Sequence, residues 1–266
     1  MDFDFSLISV PFGMRPGLRR LEPGSLQLTP LDPHGSLRTE KEAVQRAGAS
    51  RHQAPGFDAG PALRAIAAHA AAGGLRFDPQ DTPELAFEED LAVLDGAAGT
   101  LPWLCVCVPS HWAPEEKVGL DFAALHGPVA DNAALVAASR QLVALVTGGH
   151  CWERHVWTIS PSGRYDQHPR RRERTAWPQG SDPQQFAEGC WLRAERQSFF
   201  PVGQSTRQAV FTIRVMLQPL HEAVAEPWQA RRLRDSLASM SDTVLAYKNL
   251  APAREPLLRW LETRDR

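Results

Sequence analysis

Three segments in the second half of the chain read as strands: Trp152 to Ile159, Cys190 to Ser198 and Arg207 to Leu217. Long connections separate them, and helix-patterned stretches are grouped before and after. That arrangement points to an α+β fold with a mainly antiparallel sheet and flanking helices. A further run, Leu101 to Val108, is continuously apolar and is expected at the sheet's centre, covered on both sides.

The helices follow from start and stop signals. Pro61 to Ala72 is Ala-rich, with Pro near its start and Gly73-Gly74 past its end. Thr82 to Leu94 is expected as a second helix: Thr82 can cap it, Glu84 sits in the first turn, and Leu85, Glu89 and Leu94 fall at roughly helical spacing. Asn132 to Thr147 places Leu135, Ala138, Leu142 and Leu145 on one stripe and stops at Gly148-Gly149. A long C-terminal helix is expected from Trp228 to Asn249, then a short one from Glu255 to Glu262. Residues 1–60, rich in Pro, Gly and Arg, are expected as an irregular segment packed on the core, with a partly helical connector from Arg38 to Arg51. Residues 61–266 then form a single domain. The polar link from Ser160 to Gly189, with Arg170-Arg171-Arg172, reads as a solvated loop.

A chain of 266 residues with 43% hydrophobic content can bury one large core or two small ones. The net charge of -2 gives no global field to recruit nucleic acid or an anionic membrane. No apolar run is long enough to span a bilayer, and the N-terminal MDFDFSLISVPFGM is acidic before its apolar run, the wrong order for a signal peptide, so the cytoplasm is expected. The four cysteines lack CxxC spacing and read as buried thiols, with Cys105 and Cys107 on one strand face.

The chain has no GxxxxGK loop, GxGxxG, GxSxG or HExxH. What it offers is the stretch from Cys105 to Asn132. A strand breaks at Pro109, a Trp/Pro corner carries Glu115-Glu116-Lys117, and His126 is delivered into Gly127-Pro128. A histidine on so stiff a backbone suits an axial metal or haem ligand, and equally one that hydrogen-bonds a loop. In the strand CWLRAERQS, alternation puts Cys190, Leu192, Ala194 and Arg196 on one face and Trp191, Arg193, Glu195 and Gln197 on the other. Arg196 on an apolar face needs an anion. That anion is an internal carboxylate such as Glu88, Glu89 or Asp90, or the carboxylate or phosphate of a ligand. Arg214 poses the same question more weakly. Trp112, Trp152, Trp157 and Trp191 read as core, and would also wall a flat cofactor.

These residues fall in a recurring order: EED (Glu88 to Asp90), VPSHW (Val108 to Trp112), EKVG (Glu116 to Gly119), LHGPV (Leu125 to Val129), RAERQ (Arg193 to Gln197), FTIRVMLQPL (Phe211 to Leu220) and Tyr247-Lys248. From about Glu84 to Leu250 the chain resembles the DUF3445 family, whose characterised member is the haem-binding subunit of a haem-dependent oxidative N-demethylase (a dimethylamine monooxygenase). The segment GMRPGLRRLEP is a weaker echo. The resemblance implies a PAS-like fold holding haem b, with His126 as axial iron ligand. Arg196 would meet a haem propionate or, in a catalytic role, a distal-side group; Lys117 and Arg214 are weaker candidates for the propionates, Trp112 would form a wall, and Glu195 would bind a substrate ammonium or relay protons in catalysis. The implied activity is a monooxygenase reaction on a small methylated amine and O2, giving amine and formaldehyde. Electrons would come from NAD(P)H through a separate flavin/iron–sulfur reductase, since the chain has no fingerprint for either carrier. A haem-binding PAS sensor or carrier without turnover, and a haem-less assembly subunit, are the alternatives; an oligomer is compatible with each. The chain departs from the family where Phe199-Phe200-Pro201 replaces Leu-Pro after the ERQ segment, and where Arg154-His155-Val156-Trp157 replaces Arg-x-Asn-Trp.

Overall fold

The structure, a computed structural model, describes residues 3–180, 182–203 and 206–265. In chain order its elements are β1 (Arg19–Arg20), α1 (Ser36–Arg46), β2 (Arg51–Gln53), α2 (Gly60–Ala72), β3 (Asp90–Asp95), β4 (Thr100–Cys105), α3 (Phe122–His126), α4 (Ala133–Ala137), α5 (Ser139–Val146), β5 (Trp152–Ser160), α6 (Pro183–Glu188), β6 (Trp191–Pro201), β7 (Gln208–Pro219), α7 (Leu220–Ala223), α8 (Pro227–Ala238), α9 (Asp242–Tyr247) and α10 (Arg254–Arg264). The strands form one seven-stranded sheet in the order β1-β5-β6-β7-β3-β4-β2, and each pairing is antiparallel. The antiparallel α+β expectation is met, and β5, β6 and β7 lie within three residues of their expected bounds.

Several expected elements differ. Thr82 to Leu94 is not a helix: a 3₁₀ turn, Pro83–Leu85, leads into β3. Asp90 to Leu94 are all buried, so no alternation marks this strand in the sequence. Glu84 is drawn inward by Ser50 and Arg51, both at 2.7 Å, and Glu89 by the Thr29 backbone at 2.8 Å. β4 stops at Cys105 and lies one place from the sheet's edge, covered there by the three-residue β2. Cys105 and Cys107 are both buried, but in separate clusters, because the chain leaves the sheet between them. The long C-terminal helix is broken: Ser241 accepts from Val244 N at 3.2 Å and starts α9 afresh. The 132–147 helix is likewise split at Ala138. Within residues 1–60, β1, α1 and β2 are regular elements, and two of them extend the sheet.

Each sheet face has its own cover. On one, the α8 face, Trp157, Ile159, Leu192, Ala194 and Met216 pack against Ala230, Leu233 and Leu237 of α8 and Trp260 and Leu261 of α10. Val93, Trp103, Phe200 and Val210 continue that face under Ala62, Ile66 and Ala70 of α2. On the other, the α3 face, Ala92, Leu94, Leu104, Phe199 and Ala209 pack with Val143 and Val146 of α5, and Trp112, Phe122, Leu125, Trp152 and Phe211 close the cluster. Among the described residues no helix is long and apolar enough to cross a membrane.

Candidate functional site

α3 is a short helix started by Asp121, whose side chain accepts from Ala124 N at 2.8 Å, and it ends at Gly127. Its last residue, His126, has Nδ1 2.7 Å from the carbonyl oxygen of Phe122 and stacks on the Phe122 ring with centroids 4.0 Å apart. A carbonyl can only accept, so Nδ1 carries the proton. In the neutral ring Nε2 then keeps its lone pair, the state in which an imidazole ligates a metal. Burial pushes His126 below its ordinary pKa; the Phe122 bond opposes this, and Arg154 and Lys117 add to it. The ring is therefore neutral at pH 7.

Beneath α3 the sheet presents a polar strip. Strand register sets Arg154 opposite Gln197 and Val156 opposite Glu195. Trp152, Arg154, Val156, Glu195 and Gln197 share this face and are all half-buried. Trp152 Nε1 and Arg154 Nε are buried with no hydrogen-bond partner among the described residues. Burial holds the Arg154 guanidinium below the usual arginine range, with Glu195 and Tyr247 pulling the other way. Unmet donors in such a place cost about 1–3 kcal/mol each, and two on one strand face mark where an acceptor would be welcomed.

Glu195 is held from two sides. Oε1 accepts a short hydrogen bond from Ser110 Oγ, and Oε2 accepts from Gln197 Nε2 at 2.7 Å. Ser110 in turn accepts from Arg193 Nε at 2.8 Å. At the rim, Lys248 donates from Nζ to the Trp157 carbonyl at 2.8 Å and lies over the Phe12 ring, 5.4 Å from its centroid. Burial pushes Lys248 down to about 8, against the pull of Glu195.

The residues singled out in the sequence are thus divided. His126, Lys117, Trp112 and Glu195 belong to the α3 face. Lys117 lies within electrostatic reach of His126, and Trp112 packs against the same apolar cluster as Phe122. Arg196 and Arg214 sit opposite each other on the α8 face, in a different compartment. Arg196 pairs with Glu153 at 3.4 Å and bonds the Leu26 carbonyl, while Arg214 pairs with Glu88 at 2.6 Å. With Asp4, Arg19 and His155 they line a recess of about 330 Å³. Internal carboxylates therefore answer both guanidiniums, with Glu88 serving Arg214 and not Arg196. Sequence reasoning gave no site role to Arg154, Ser110 or Arg193. The first sits in the departing Arg-x-Asn-Trp segment, the second in VPSHW, and the third two residues before Glu195 on the same strand face.

The basic run is also not a free loop. Arg170 bonds both Glu115 and Glu116, Arg171 bonds Asp166 at 3.0 Å, and buried His168 meets Glu115 at 3.1 Å. These contacts clamp the corner that precedes α3. Among the described residues no group of three or more His, Cys, Asp or Glu side chains could hold a bare metal ion. A model of the family described as haem-dependent oxidative N-demethylase, alpha subunit-like, matches residues 77–258.

The chain belongs to this family.

The N-demethylase alpha-subunit-like match takes in Ser110, His126, Arg154, Glu195 and Lys248, and leaves α1, β2 and α2 outside it. No curated protein matches the chain. The α3 face carries groups whose chemistry suits the haem that the family's description names: an imidazole that keeps its Nε2 lone pair, the indoles of Trp112 and Trp152, and donors that have no partner among the described residues.

Proposed function

We propose that this chain holds haem b over the α3 face through His126 Nε2 and N-demethylates a small methylated amine, releasing amine and formaldehyde. The observation that carries this reading is the Nδ1 bond from His126 to the Phe122 carbonyl, which leaves the Nε2 lone pair available on the helix that covers the face carrying the unmet donors of Trp152 and Arg154. When bound, the haem supplies O2 activation, with electrons arriving from NAD(P)H through a separate flavin/iron–sulfur reductase. Arg154, Trp152 and Lys117 offer hydrogen bonds and positive charge to the propionates, and Trp112 helps to exclude water. Glu195 offers its carboxylate to the substrate ammonium. Arg196 and Arg214, engaged with Glu153 and Glu88, brace the strands from the far side. The antiparallel run β5-β6-β7-β3-β4, with α3 to α5 lying between β4 and β5 in the chain, supports a PAS-like reading.

The test is an absorption spectrum of haem-supplied wild type and His126→Ala, followed by formaldehyde measurement with dimethylamine, O2 and a reductase. A haem band lost or shifted in His126→Ala, with formaldehyde from the wild type alone, is expected. An unchanged spectrum in His126→Ala removes the ligand assignment.

A further inference from the structure

Arg193 is 2% exposed, near the start of β6. A buried guanidinium is ordinarily met by a carboxylate. Among the described residues its hydrogen bonds run instead to three neutral oxygens: Ser110 Oγ at 2.8 Å, Arg164 O at 3.2 Å and Val108 O at 3.1 Å. Two of these acceptors belong to the Val108–Ser110 corner, so Arg193 fixes that corner to the strand. Directly after Ser110 the chain turns sharply, with His111 in the left-handed region at φ 61°, a conformation that surrounding contacts must hold in place.

The direction of the bonds matters more than their number. A serine hydroxyl has one proton. Because Arg193 Nε–H points at the Ser110 oxygen, that proton is left for Glu195 Oε1. Gln197 Nε2 donates to the other carboxylate oxygen. Both oxygens of Glu195 are thus placed as acceptors. The charge of Arg193 stands one hydroxyl away, while Arg154 on the neighbouring strand is within electrostatic reach.

We infer that Ser110 and Arg193 are positioning residues which hold Glu195 as an acceptor-only carboxylate, and that this makes the site select a protonated methylamine over an uncharged molecule of the same shape. The inference rests on the haem-and-amine reading of the α3 face and adds to it the origin of substrate charge selectivity. Arg193 and Ser110 need not touch the substrate; they act through Glu195.

The test is calorimetric binding of dimethylammonium and of its neutral isostere dimethyl ether to haem-loaded wild type, Ser110→Ala and Ser110→Thr, with thermal melts as a check on folding. Ser110→Ala is expected to weaken dimethylammonium binding about tenfold, the worth of one charge-assisted hydrogen bond, and to leave the ether unchanged. Ser110→Thr, which keeps the hydroxyl, should bind dimethylammonium like the wild type. Equal losses for both ligands in Ser110→Ala, or no loss, would overturn the inference while leaving the haem reading intact. Haem-loaded wild type that does not prefer the ammonium overturns the amine reading, and the inference with it.

Discussion

His126 Nδ1 lies 2.7 Å from the carbonyl oxygen of Phe122, one turn behind it on the same helix. The bond orients the ring only as well as the helix itself is held, and α3 has five residues, none fully buried. Its start depends on Asp121. Asp121→Ala is expected to remove about 1 kcal/mol of capping and to lower haem affinity several-fold with little change in overall melting temperature. Titration of the protein with haem, followed by absorbance, checks it.

Arg154 carries a buried nitrogen, Nε, without a partner among the described residues. Replacing it by leucine should stabilise the haem-free protein by about 1–3 kcal/mol, the relief of an unsatisfied buried group, and should speed haem loss at least tenfold. Urea unfolding of the haem-free protein and haem transfer to an acceptor globin measure the two effects. A destabilised haem-free Arg154→Leu would show that the guanidinium already has a structural partner.

Lys41 is fully buried, with Nζ 3.2 Å from Asp90 Oδ1, and it donates to the carbonyls of Phe87 at 3.1 Å and Glu89 at 2.8 Å. Lys41→Met would leave Asp90 charged and uncompensated inside the protein. A loss of about 3–5 kcal/mol is expected, read as a lower urea midpoint. Asp90 also accepts from Val108 N at 2.8 Å, so the loss should loosen the Ser110 corner as well.

Glu115 supplies the pH dependence. Burial pushes its carboxyl up, but hydrogen bonds from its own backbone, His168 and Arg170 more than offset this and hold it at about 2, below its ordinary 4.5. A depressed folded value means that the unfolded chain binds the proton first. The contribution to stability is therefore complete above pH 4.5 and is lost as pH falls towards 2. In Glu115→Gln that slope should flatten. Urea midpoints measured at steps down this range compare the two proteins, and proteolysis of the 160–180 segment reports whether the clamp has opened.

The sheet was largely legible because β5, β6 and β7 are long and have turn-rich connections on either side. β3 was not: a strand buried on both faces loses its period, and Glu84, Leu85, Glu89 and Leu94 happened to fall at helical spacing. Strand alternation in β6 correctly put Arg196 among Leu192 and Ala194, yet the more deeply buried arginine is Arg193 on the polar side. Which face of a strand is covered depends on distant chain, here the Val108–Ser110 corner, and no local pattern reports it. His126 could be singled out from its Gly-Pro turn. Its Nδ1 bond could not, since that depends on how tightly α3 winds.

β1 lies alongside only Trp152 and Glu153 of β5. Among the described residues no strand pairs with the remainder of β5 on its outer side, and such a margin is where a second polypeptide can add itself and begin a fibril. Lys248 bonds the Trp157 carbonyl and lays its stem against Phe12 and Trp157. An incoming strand would have to displace that amine. Lys248 thus stands in the way of any strand added along that margin.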